Sequence, residues 1–168
     1  MSAGLSVSLV AGAYLLGSIS FSVVIVKLIQ GLDVRTVGSA AVAVVLGHVY
    51  PVFFGFRGGK GVATSAGALG ALAPVAMALG LVLFAAVVTW KRYVSVGSMI
   101  TAAAFPLLAW AGHRLGWSDY GGPWLLGSAA AIALLILIRH ASNLRRLRDG
   151  TEPRLGEPRP EPAGGVGR

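Results

Sequence analysis

The 168-residue sequence contains no cysteine, which excludes disulfide cross-links and thiolate metal sites. Charge is nearly as scarce: Asp, Glu, Lys and Arg together make up 12% of the residues, and only six are acidic. A water-soluble domain carries about 25% charged residues, so lipid is the solvent for most of this chain. No pair of carboxylates lies within an apolar stretch, which argues against a proton or cation path built on intramembrane acids. His and acidic residues are too few for a metal site, and neither metal nor cofactor is predicted. Residues 1–6 hold no Lys or Arg, so the first apolar run lacks a signal-peptide n-region and reads as a retained span. No internal repeat of the transporter kind is visible.

What remains is strongly apolar and basic. Hydrophobic residues make up 55% of the chain, and the formal net charge is +8. In a soluble protein that charge would point to nucleic acid. Here the basic residues stand between apolar segments and in the tail, the pattern of a membrane protein that keeps Lys and Arg in the cytoplasm, and no nucleic-acid partner is expected.

The first apolar run covers residues 5–29, long enough for the roughly 20 residues that a span needs. A polar turn is expected over 30–39, followed by a short apolar run over 40–56 that contains His48 and Pro51. Residues 62–90 then carry no charge. Pro74 divides this stretch, because proline removes a backbone donor and clashes with the preceding turn. It fits one long kinked helix or two helices; two helices collect more positive charge on one face. Further spans are expected over 93–111 and 123–138. The prediction is an all-α polytopic transmembrane helical bundle with about six hydrophobic helical segments, five or six of them crossing. Residues 1–150 form the membrane unit, and 151–168, rich in Pro, Gly, Glu and Arg, a disordered cytoplasmic tail. Half of the fourteen basic residues lie from Arg139 onward, which places the C-terminus in the cytoplasm.

Three groups of residues have the character of a site. Gly58-Gly59-Lys60-Gly61 precedes a helix start and is followed by Thr64 and Ser65. Glycines let backbone N–H groups converge, a helix N-terminus adds positive potential, and Lys60 supplies a charge, which together describe an anion cradle. It lacks the spacing of a nucleotide P-loop. The alternative is a flexible loop with a snorkelling lysine. His140, Asn143 and Arg146 follow at three-residue spacing, which puts them on one side of a helix, with Glu152 beyond. Histidine moves protons near neutral pH and arginine pairs with phosphate; the alternative is a basic segment touching lipid headgroups. His48, in an apolar run, is either functional or a structural hydrogen-bonding residue.

On these residues the sequence resembles the bacterial acyl-phosphate-dependent glycerol-3-phosphate acyltransferases. The resemblance runs from Tyr14-Leu15-Leu16-Gly17-Ser18-Ile19 through Asp33 to Ser39 and Gly47-His48-Val49-Tyr50-Pro51-Val52-Phe53. It continues over Gly58 to Gly67 and ends on Arg139-His140, Asn143, Arg146-Leu147, Gly150 and Glu152. It implies transfer of an acyl group from acyl phosphate to the 1-hydroxyl of glycerol 3-phosphate, without metal or cofactor, in the bacterial inner or plasma membrane. Partners would be those two substrates and membrane lipids, with the active face and C-terminus cytoplasmic. It assigns catalytic roles to His140, Asn143 and Glu152, and phosphate or substrate binding to Ser39, Gly58, Gly59, Lys60, Gly61, Thr64, Ser65 and Arg146.

One departure stands out. After Gly38-Ser39 the family continues with a polar motif and a further transmembrane helix, whereas here Ser39 runs directly into Ala40-Ala41-Val42. A missing span reverses the expected direction of one flank. If the glycine loop and tail are cytoplasmic, the 40–56 segment enters from outside or is re-entrant. The same loss leaves a second expectation open, a catalytically defective relative that binds phosphate or lipid headgroups.

Overall fold

The computed structural model describes residues 34–118 and 122–157. Regular structure among them is entirely helical: α1 (Val34–Val49), a 3-10 turn (Val52–Phe54), α2 (Val62–Leu72), α3 (Pro74–Lys91), α4 (Val94–Arg114), α5 (Gly122–Arg139) and α6 (Ala141–Arg148). The first apolar run, residues 5–29, lies outside the described residues. Among the described residues, four stretches are long and apolar enough to cross a membrane: Arg35–Phe54, α3, α4 and α5. The eleven-residue α2 is apolar too, but it rises only about 16 Å, short of a hydrocarbon core of roughly 30 Å.

α1 begins within the expected polar turn, so residues 34–39 are helical rather than a loop. Two contacts account for this. The Arg35 guanidinium sits 4.8 Å from the centre of the Trp124 ring at the start of α5, which gives the charge a cation–π partner. Val37, Ala41, Val45 and Val49, four residues apart, form one fully buried face against the core. Gly38 lets α1 approach α5, since a Cβ there would come within 2.5 Å of Ser128 Oγ.

The uncharged stretch is two helices. Ala73 leaves the helical region at φ −139°, ψ 71°, and Pro74 opens α3, where its missing N–H costs no helical bond. α3 and α4 then pack as an antiparallel hairpin, closest at Gly97, where a Cβ would lie 2.6 Å from Val88 Cγ2. One end of the bundle therefore gathers the C-termini of α1, α3 and α5, the starts of α2 and α4, and α6. Arg57, Lys60, Lys91, Arg92, Arg139, Arg145, Arg146, Arg148 and Arg154 all lie at that end, while Arg35 and Arg114 lie at the other.

The boundary that composition sets at residue 151 falls inside the folded unit. The Thr151 and Glu152 N–H groups donate to Arg146 O at 2.8 and 3.2 Å, and Leu155 N–H donates to Arg92 O at 2.6 Å. Hydrogen bonds and a charge pair, not apolar area, hold residues 151–157, so a composition rule for disorder misses them. Residues 158–168 lie outside the described residues.

The tight α3–α4 crossing predicts that Gly97→Leu overpacks the hairpin, at a cost of about 1–3 kcal/mol. Its melting temperature in detergent should fall by several degrees. Gly127→Leu, where a Cβ meets nothing within 4 Å, should leave it unchanged.

Candidate active site

A cavity of about 770 Å³ opens at the basic end between α2, α3, α4 and α5. His48, Lys60, Gly61, Ser65, Ser95, His140, Asn143 and Glu152 belong to its polar part, while Leu69, Met77, Phe84, Phe105, Ile132 and Ile136 line its apolar part. Charge and hydrogen-bonding groups thus meet an apolar chamber in one continuous space.

The glycine loop lies flat against the end of α1. Gly58 N–H donates to Val49 O at 3.2 Å. A Cβ on Gly58 would overlap the His48 carbonyl and stand 2.6 Å from Val49 O, and one on Gly59 would stand 2.6 Å from His48 Nε2. Arg139 secures the loop from the other side: its Nη2 donates to Gly58 O at 3.2 Å, and its guanidinium lies 5.5 Å from the Tyr50 ring. Gly61 then adopts φ +80° as the N-cap of α2, with no side chain capping the helix. The first N–H groups of α2 are left for an anion at the mouth, reinforced by the helix dipole. The Ser65 hydroxyl donates to Gly61 O at 2.7 Å and so closes the first turn.

His140 is 2% exposed, and its Nδ1 lies 2.8 Å from Ile136 O. A carbonyl only accepts, so Nδ1 carries the proton and the neutral ring keeps its lone pair on Nε2. Burial lowers the His140 pKa below its ordinary value. The Ile136 bond opposes this, the Lys60 charge adds to the lowering, and Glu152 opposes it. The imidazole is therefore neutral at pH 7.

Glu152 organises the opposite wall. Its Oε1 accepts from Asn143 Nδ2 at 2.7 Å and its Oε2 from Arg146 Nε at 2.8 Å. Burial pushes the carboxyl pKa up, but the Ser95 hydroxyl nearby and the Asn143 and Arg146 donors outweigh it and hold the group below its ordinary value. With both oxygens engaged, Glu152 is an anchor rather than a base. Asn143, 3% exposed, spends its amide N–H on that anchor, which leaves a buried Oδ1 without a hydrogen-bond partner. The unmet acceptor suits a hydroxyl donor entering the cavity.

The structure thus brings Lys60, Gly61, Ser65, His140, Asn143 and Glu152 together, with His48 among them and Gly58 and Gly59 supporting the loop. Arg146 stands behind Glu152, with 43% of its side chain exposed. Thr64 lies on α2 off the cavity lining. Ser39 is exposed and nine residues before His48 on the same helix, about 14 Å away along the axis, so it does not join the group. Sequence reasoning missed Ser95, Ser98 and Thr101, which line the cavity from α4. The signal was their three-residue spacing in an otherwise apolar helix. Thr101 Oγ1 is buried without a hydrogen-bond partner, and the buried Ser95 Oγ faces Glu152 without a bond of full hydrogen-bond geometry.

Both shifts predict acid sensitivity. His140 titrates lower in the folded protein, so the unfolded chain takes up its proton first and stability declines as pH falls below about 6.5. The Glu152 carboxyl is also depressed; its contribution is present above its unfolded value near 4.5 and is lost as pH falls through the lower folded value. Melting temperature recorded against pH should fall in two steps, with His140→Asn lacking the upper and Glu152→Gln the lower.

Comparison with known proteins gives this arrangement a family. The sequence profile described as glycerol-3-phosphate acyltransferase matches residues 7–42 and 39–150. The glycerol-3-phosphate acyltransferase of Geobacter sulfurreducens is 43% identical over 119 residues, covering 71% of this chain and 58% of that protein. The Aquifex aeolicus protein of the same name is 35% identical over 196 positions, covering 88% of this chain and 97% of its own length. Two crystal structures of PlsY (YgiH), an integral membrane glycerol 3-phosphate acyltransferase, are similar as well. Its lysophosphatidic acid form superposes with a TM-score of 0.67 at 34% identity, covering 78% of this chain and 64% of that one. Its glycerol 3-phosphate form gives 0.59 at 33%, covering 89% and 95%.

The chain spans little more than half the length of the first of these relatives. The Aquifex alignment is longer than the 168-residue chain, so that relative carries a stretch with no counterpart here. The two profile matches meet at residues 39–42, in the middle of the continuous helix α1. The missing piece is therefore internal and is bridged by helix. The chain is a multi-pass membrane protein of all-α fold and belongs to the glycerol-3-phosphate acyltransferase family.

Proposed function

We propose that the protein transfers an acyl group from acyl phosphate to the 1-hydroxyl of glycerol 3-phosphate, giving lysophosphatidic acid and inorganic phosphate. The observation that carries this reading is a continuous cavity with a cationic, N–H-rich mouth and an apolar interior, which fits a substrate with a phosphate at one end and an acyl chain at the other. Lys60 and the uncapped start of α2 hold one phosphate, and Arg146, at the rim, contributes to the other. Asn143 Oδ1 accepts from a glycerol hydroxyl. That hydroxyl oxygen attacks the acyl carbonyl carbon; the new ester C–O bond forms as the bond to the phosphate oxygen breaks. The hydroxyl proton passes to His140 Nε2 or directly to the departing phosphate. Acyl phosphate is already activated, so alignment and charge stabilisation carry the reaction without a covalent intermediate.

The basic end, with nine Lys and Arg residues against two at the other among the described residues, faces the cytoplasm of a bacterial inner or plasma membrane on this reading. α1 then runs from outside to inside, and Arg35 lies on the outer side.

The internal stretch absent at residues 39–42 supports a second reading, a relative that retains phosphate or headgroup binding but not turnover. One assay separates the two. Purified protein in detergent receives palmitoyl phosphate and labelled glycerol 3-phosphate. The acyltransferase reading expects labelled lysophosphatidic acid from the parent, none above background from Lys60→Ala, and a roughly hundredfold or greater loss with His140→Gln if the imidazole takes the proton. A folded parent that makes no product leaves the second reading.

A further inference from the structure

The chain after α6 does more than return Glu152 to the cavity. It goes on to the turn between α3 and α4, on the other side of the mouth, and is fastened there at several points. Leu155 N–H donates to Arg92 O at 2.6 Å, and Arg92 Nη2 donates back to Leu155 O at 2.7 Å. Beside this two-way clamp, Arg154 Nε donates to the Tyr93 hydroxyl at 3.0 Å, and its guanidinium lies 5.4 Å from the ring. Gly156 packs close behind, where a Cβ would stand 3.2 Å from Arg92 Nη2.

The backbone of Arg92 gives an independent reason to regard this fastening as more than incidental. Arg92 ends α3 in the left-handed region at φ +60°, ψ 17°, the position that helices usually give to glycine. A non-glycine residue there carries backbone strain, because its Cβ crowds the following carbonyl oxygen. Such strain persists where surrounding contacts demand it. The side chain held at that cost is the one that reaches Leu155.

We propose that Arg92 and Tyr93 with Arg154 and Leu155 form a clasp across the cavity mouth that positions Glu152, and through it Asn143 and Arg146, for the substrate. The four are positioning residues, and the proposal rests on the acyltransferase reading of the site. Glu152 lies midway between two fixings. Behind it, the Thr151 and Glu152 N–H groups are tied to Arg146 O; ahead of it, Leu155 is tied to Arg92. The clasp also bridges the wall built by α3 and α4 to the wall built by α5 and α6. Without it the carboxylate is tethered on one side only, and the Asn143 amide loses its fixed orientation.

Arg92→Gly tests this without a folding penalty, because glycine relaxes the left-handed turn while removing the donor. Hydrogen exchange by mass spectrometry reads the clasp, equilibrium dialysis of labelled glycerol 3-phosphate reads the positioning, and product formation reads the reaction. The expected result is a melting temperature equal to or above the parent's, faster exchange over residues 154–157, and about tenfold weaker binding. Arg92→Lys, which can still donate to Leu155 O, should restore most of both. Unchanged exchange or unchanged binding in Arg92→Gly overturns the clasp even if the parent is active. A parent that binds glycerol 3-phosphate in a clasp-dependent way but forms no product overturns the proposed reaction and leaves the clasp standing. A parent that does not bind it overturns both.

Discussion

A buried carboxylate has to be matched by donors, and at the mouth of this cavity Glu152 imposes that condition on everything near it. Its two oxygens take Asn143 Nδ2 and Arg146 Nε, which sit three residues apart on α6. Satisfying one charge therefore fixes the rotation of a short, strongly basic helix that has little apolar area of its own to bury. It also forces the Asn143 carbonyl oxygen to face the cavity unpaired. Removing one partner from such a pair is costly because the remaining charge stays buried. The residues behind and beyond Glu152 are accordingly secured by backbone hydrogen bonds to α6 and to the α3–α4 turn.

The other wall rests on the opposite strategy: lack of side chains rather than charge. Gly58 and Gly59 let the loop lie against the last turn of α1, and Gly61 turns the chain into α2 with its N–H groups bare. Arg139 links the walls, because it donates to the loop carbonyl from the residue next to His140. The distance between the anion cradle and the imidazole is thus set by one guanidinium. The internal stretch that relatives carry and this chain lacks falls elsewhere, within α1 and far from this link. A helix can absorb such a loss because every residue continues the same hydrogen-bonding pattern, and the buried face Val37-Ala41-Val45-Val49 stays in register across it.

Much of this is written locally and so is readable from the sequence. The membrane-like composition, the break at Pro74, the helix start after Gly61 and the His140–Asn143–Arg146 spacing each depend on a few neighbouring residues. What was not readable depends on distant partners. The start of α1 at Val34 requires Trp124 to receive Arg35. The order of residues 151–157 requires Arg92 and Tyr93, some sixty positions earlier. Arg139 acts on a backbone carbonyl, which carries no residue-type signal at all. Ser39 shows the reverse case: a motif resemblance marks it, yet α1 carries it away from the cavity.

The central claim is that mouth and depth form one site for one amphiphilic substrate. It is tested most directly by photolabelling with a non-hydrolysable acyl phosphonate that carries a photoreactive group near its methyl end, followed by peptide mapping. Labelling at Met77, Phe84 or Phe105, lost in Lys60→Ala, is the result expected if the chain enters the chamber while its head is held at the glycine loop. Labelling confined to outward-facing residues such as Val82, Leu107 and Leu134, and indifferent to Lys60, would contradict the account.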